Sequence, residues 1–105
     1  MPSKPSAPAV VSPERAEAVA AIMQALASPN RVRILDRLRQ GACTVGELAT
    51  AVELEQNLVS NHLRILRHLA LVKSERQGRH VAYDVHDDHV ADLLAEVLDH
   101  VAHLD

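Results

Sequence analysis

Four side chains near the end of the sequence have the types and spacing to hold a metal ion. Asp87 and His89 are followed, after ten intervening residues, by His100 and His103. One carboxylate and three imidazoles suit a borderline divalent ion such as zinc, cobalt or nickel. The run from Val90 to Ala102 reads as a helix, and a helix would separate His89 from His100 by about 16 Å at ~1.5 Å per residue. Metal–nitrogen bonds are only about 2 Å long, so one helix cannot bring all four groups to one ion. Two antiparallel copies can, so the motif predicts a homodimer before it predicts a function.

On a helical wheel, Val90, Leu93, Leu94, Val97, Leu98 and Val101 form an apolar stripe roughly 140° wide. His89 and His100 fall within about 20° of each other on one flank of that stripe, with His103 a little further round. Pairing the stripe with its twofold copy sets the start of one helix against the end of the other. Asp87 and His89 would point apart within a helix, so Asp87 must act from a non-helical cap. Each candidate also has an ordinary structural explanation. Asp87 and Asp88 can cap a helix, and His100 and His103 can complement the negative end of its dipole.

The elements that must position these groups are short. At 105 residues the chain has room for one small domain. Hydrophobic residues make up 48%, but Tyr83 is the only aromatic, so the core must be built from interlocking aliphatic side chains. Cys43 is the single cysteine, which excludes an intrachain disulfide and points to a reducing cytoplasm. No apolar run is long enough for a membrane span and the N-terminus lacks a signal-peptide core.

The formal net charge of −3 conceals an asymmetry. Residues 28–83 hold nine Lys and Arg against five acids, whereas residues 84–105 hold seven acids and no Lys or Arg. A basic middle joined to an acidic, histidine-bearing end implies phosphates at one surface and cations at the other.

Residues 1–12, rich in Pro, Ala and Ser, read as a disordered arm; residues 13–105 read as one folded domain. Ser12-Pro13-Glu14 starts a first helix, Ser28-Pro29 a second that Gly41 stops, and the capping box Thr44-x-x-Glu47 a third. A fourth helix carries Leu58, Leu63, Ile65, Leu66 and Leu69. The segments Val72–Arg76 and His80–Val85 then flank Gln77-Gly78-Arg79 as a β-hairpin, and Asp87-Asp88 caps the last helix.

This order describes a winged helix-turn-helix, mainly α with one small hairpin, its terminal helices at the dimer seam. The fourth helix would lie in the major groove of double-stranded DNA. Its first turns offer Gln56, Asn57, Ser60, Asn61 and His62 to base edges, and Arg64 and Arg67 follow where phosphates would pass. Lys73, Arg76, Arg79 and His80 place charge on the wing. A metalloenzyme fits poorly, because a closed four-ligand shell leaves no open position and no catalytic base stands nearby.

Three segments, Ala27-Ser28-Pro29-Asn30-Arg31-Val32-Arg33-Ile34-Leu35, Gln56-Asn57-Leu58-Val59-Ser60-Asn61-His62-Leu63 and Arg76-Gln77-Gly78-Arg79, resemble the ArsR/SmtB family of bacterial metal-responsive repressors. The resemblance covers about residues 14–104 in register. Two positions depart from it: Asn61 stands where the family commonly has His, and Glu55 where many members have Ser.

The resemblance implies an operator-binding regulator with metal sites between subunits at the C-terminal helix. Members of that subgroup use Asp-x-His from one subunit and His-x-x-His from the other, which carries over to Asp87, His89, His100 and His103. It further implies a hydrogen bond from the far nitrogen of His100 to a backbone carbonyl near Ala70, linking the ion to the reading helix. Asp88-His89-Val90-Ala91 and Gln24-Ala25-Leu26-Ala27 are most similar to nickel- and cobalt-sensing members. The four ligands alone complete a tetrahedron that suits zinc. Nickel is therefore slightly favoured over zinc, with cobalt a further candidate. The alternative is a winged-helix regulator that answers a non-metal or redox signal, with structural histidines.

Overall fold

Four of the five helices begin at a side-chain cap, and the computed structural model, which describes residues 7–104, shows how those starts are used. The first six residues of the expected arm, and Asp105, lie outside the described residues; residues 7–12 are exposed and carry no regular structure.

Helix α1 spans Pro13–Leu26, its start capped by Ser12, whose hydroxyl accepts from Arg15 N at 3.2 Å. Helix α2 (Pro29–Leu38) repeats the device with Ser28 and Arg31 N at 3.3 Å, and it buries Ile34, Leu35 and Leu38 completely. Helix α3 (Val45–Val52) opens with a complete capping box. Thr44 Oγ1 accepts from Glu47 N at 3.2 Å while Glu47 Oε1 accepts from Thr44 N at 2.9 Å. These hydrogen bonds hold the Glu47 carboxyl below its usual range.

Helix α4 (Gln56–His68) is the exception. Glu55 occupies the cap position with extended backbone but makes no side-chain cap bond. A hydroxyl on a short side chain reaches the first free N–H groups, whereas the longer glutamate here does not. Glu55→Ser is therefore expected to stabilise the fold by about 1 kcal/mol, read as a higher urea midpoint with an unchanged slope.

Strands β2 (Val72–Gln77) and β3 (His80–Val85) form the hairpin, with Gln77 paired to His80 across a two-residue turn. Gly78 there has φ +62°, a conformation natural to glycine. The sheet has a third strand that the sequence reading lacked: β1 (Cys43–Thr44) pairs antiparallel with β3, Cys43 opposite Tyr83 and Thr44 opposite Ala82. A two-residue strand has no periodicity to detect, and its partner lies far along the chain. The pairing ties the start of α3 to the wing and buries Cys43, whose thiol is pushed up chiefly by desolvation.

Helix α5 (Asp88–Ala102) closes the order and lays Val90 and Leu94 into a core made by α2, α3 and α4. The apolar stripe of α5 is thus divided. Val90 and Leu94 dock the helix on its own protomer, while Val97 and Val101 remain 51% and 59% exposed.

Candidate metal centre and nucleic-acid interface

Asp87 caps α5 from extended backbone, as its place two residues before His89 requires. Its Oδ1 accepts from Val90 N at 3.2 Å, and its Oδ2 stands 3.6 Å from His89 Nδ1. The Val90 N–H, with help from His89, holds the carboxyl below its ordinary range, so near neutral pH Asp87 is a carboxylate. The His89 side chain is 97% exposed. Capping therefore uses one oxygen and leaves Oδ2, the oxygen beside His89, as the candidate ligand.

At the other end of α5, His100 lies exposed in the last turn and His103 takes the C-cap position. His103 Nδ1 donates to the Asp99 backbone carbonyl at 2.7 Å, one of the carbonyls left over where the helix ends. With Nδ1 carrying the proton, Nε2 keeps a lone pair facing solvent, the form in which imidazole binds metals. Among the described residues, no three His, Cys, Asp or Glu side chains of one protomer come close enough to share an ion. The structure brings Asp87 to His89 and leaves His100 and His103 a helix length away. All four keep a free donor atom or an exposed ring, and oxygen and imidazole nitrogen are the donors that zinc, nickel and cobalt accept. The residues fit such an ion.

Between the two ends runs an open apolar groove of about 430 Å³, floored by Leu35 and Val32 and walled by Met23 and Leu26 of α1 and by Leu93, Val97 and Val101 of α5. The carboxylate–imidazole pair and the two C-terminal histidines stand at opposite ends of the helix that forms one wall.

The candidate reading face is on α4. Val59, Leu63 and Leu66 are buried, and Gln56, Asn57, Ser60, Asn61 and Arg64 are exposed, with Arg64 hydrogen-bonded to Asn61 Oδ1. Arg67 and Lys73 are exposed nearby, Arg76 lies on β2, and Arg79 sits in the turn of the wing. His62 does not join this face. Its ring turns inward, where Nδ1 accepts from Arg31 Nε at 3.1 Å and Nε2 is buried. The helical register holds the signal for this: His62 lies three residues after Val59 and four before Leu66, on the buried side. Arg33 also serves the scaffold, donating to the Val52 carbonyl at 2.8 Å.

Residues 28–74 match the model of the bacterial regulatory protein arsR family. The transcriptional regulator NmtR of Mycobacterium tuberculosis is 46% identical over 102 residues, covering 97% of this chain and 83% of that protein. The chain belongs to the ArsR family. A Synechocystis protein described as a transcriptional repressor SmtB homolog is 41% identical across 93% of this ArsR-family chain and 74% of its own length. A homodimeric winged helix-turn-helix DNA-binding domain from Mycobacterium bovis superposes on the ArsR-family chain with a TM-score of 0.80 at 33% identity, covering 88% of each chain. The protein is accordingly a winged-helix, DNA-binding regulator of transcription and not an enzyme. No helix among the described residues is long and apolar enough to cross a membrane.

Proposed function

We propose that this ArsR-family protein is a cytoplasmic, homodimeric repressor whose hold on operator DNA weakens when a divalent ion binds between its C-terminal helices. One observation carries the reading: α5 presents a preformed carboxylate–imidazole pair, Asp87 and His89, at one end and exposed His100 and His103 at the other, beside an apolar groove its own protomer leaves open. An antiparallel copy of α5 in that groove would bring the two half-sites together twice per dimer. Nickel is the effector we favour, zinc the next and cobalt a third. When bound, the ion supplies a cross-link between subunits that neither half-site can make alone.

On DNA, Gln56, Asn57, Ser60 and Asn61 would read base edges in the major groove, with Arg64, Arg76 and Arg79 on phosphates. Ala70, just past the C-cap residue Leu69 of α4, is held at φ +57°, a backbone state that costs a non-glycine residue energy. This is the segment through which the family resemblance routes the coupling from His100.

One observation favours a second reading, a regulator answering some other signal. Asp87 and His103 each already make a helix-end hydrogen bond, so both have structural work without a metal. Titrating nickel, zinc or cobalt into the protein on a duplex selected from random sequence separates the two. We expect two ions per dimer and a loss of DNA affinity of roughly 5- to 150-fold, the range of ordinary allosteric coupling. Unchanged affinity at saturating metal selects the second reading. The cobalt spectrum then reports geometry: intense visible bands mark four ligands and favour zinc, weak bands mark six and favour nickel.

A further inference from the structure

Arg31 belongs to the first turn of α2, yet its side chain serves the helices on either side. Its Nη1 donates to the Ala25 carbonyl at 3.4 Å, near the end of α1, and its Nε donates to His62 Nδ1 at 3.1 Å, midway along α4. Helix α1 walls the groove proposed as the dimer seam, and α4 carries the reading face. One guanidinium therefore spans the distance between the element that pairs subunits and the element that meets DNA.

The His62 ring is an expensive way to fill this space. Because Nδ1 accepts from Arg31, its proton must sit on Nε2, which is buried and has no partner among the described residues. An orphaned buried donor is destabilising, and a leucine would carry no such cost. Packing alone does not account for His62; the Arg31 hydrogen bond does.

We propose that Arg31 and His62 are positioning residues for DNA reading, together fixing the angle at which each protomer of the dimer presents α4. The proposal rests on the reading that a dimer grips DNA through α4. A winged-helix dimer must set two such helices about one DNA turn apart, roughly 34 Å, so a small change of tilt at each α4 misplaces both.

The brace works only while the ring is neutral. Burial, and then the Arg31 charge, depress the pKa of His62 below the ordinary histidine value. Arg31 of α2 is the charged group that acts on the ring. On α4 the residues one turn away (Leu58, Val59, Ile65 and Leu66) are apolar, and α1 offers its Ala25 carbonyl to the guanidinium. Neither α3 nor β2, both packed on α4, contributes a charge that moves the ring among the described residues. Because the folded pKa lies below the ordinary value of about 6.5, the ring is still neutral and the brace intact at that pH, and the brace is lost as pH falls further, through the lowered pKa. Protonating a histidine beside phosphate strengthens DNA binding, so this brace predicts the opposite slope.

The test uses the full-length protein with metal chelated, on the selected duplex, with affinity read by fluorescence anisotropy from about pH 8 to about pH 5.5. Wild-type affinity should fall towards the acid end, by less than about tenfold at about pH 5.5 because the ring titrates below the ordinary histidine value. His62→Asn, whose amide oxygen lies where Nδ1 does, should keep the neutral-pH affinity and lose the acid drop. Arg31→Gln removes the charge together with the brace, and should bind on the order of tenfold more weakly with the salt dependence unchanged. A reduced salt slope in Arg31→Gln would show a phosphate contact and overturn the proposal. So would an acid drop that persists in His62→Asn. Wild-type protein that selects no duplex at all would instead defeat the underlying DNA reading, and the proposal with it.

Discussion

His100→Ala protein is expected to grip its selected DNA as tightly as wild type in the absence of metal, and to keep that grip when nickel or zinc is added. His100 is exposed on the last turn of α5, so truncating it removes no core packing. It does remove one ligand of four from each proposed site. The roughly 5- to 150-fold weakening expected of the wild type should then disappear, because an ion can shift an equilibrium only by its differential affinity for the two states. His103→Ala should behave alike.

Asp87 calls for a subtler change because it also caps α5. Asn caps a helix about as well as Asp but carries no charge, so Asp87→Asn separates ligation from capping. The expected result is a normal melting temperature with lost metal response. Anisotropy with and without metal, beside equilibrium dialysis for stoichiometry, gives both readouts. Full metal response in His100→Ala would remove the C-terminal helix from the sensing mechanism.

Val97→Asp is expected to break the dimer while leaving the protomer folded. Val97 is 51% exposed on the open wall of the groove, so a polar side chain there displaces nothing in the core. In a seam of paired α5 helices, the same position loses its water. An unpaired buried carboxylate costs several kcal/mol, and aspartate is too short to lift its charge to the surface. A loss of about 3 kcal/mol corresponds to a dissociation constant raised roughly 150-fold, which sedimentation equilibrium resolves easily. DNA affinity should fall with it, since a lone protomer reads one half-site. Val97→Asp protein that remains a tight dimer would place the seam on another surface.

The contrast between these two positions and the core shows what the residue pattern could reveal. Helix starts at Ser12, Ser28, Thr44 and Asp87 were legible because a cap acts on N–H groups two or three residues away. The hairpin was legible for the same reason, as a glycine at φ +62° sits in the turn itself. The candidate metal ligands could be named from spacing alone, and helix length by itself required a second chain. All of these are signals carried within a few turns of the backbone.

Three features needed the tertiary structure. Strand β1 exists only because Cys43 and Thr44 find β3, and no local pattern distinguishes two residues as a strand. The α5 stripe looked like a single seam, but α2 claims Val90 and Leu94 for the core and leaves Val97 and Val101 outside. His62 stood among polar neighbours that read as base contacts; the register of α4 turns it towards the buried side, but only the fold brings Arg31, 31 residues earlier, to donate to its ring. Local residue patterns were enough to place the helices and the hairpin and to name the side chains that could hold an ion, because neighbours within a turn decide those matters. Only the fold decided which face each helix buries, because that depends on partners distant in the chain competing for the same surface.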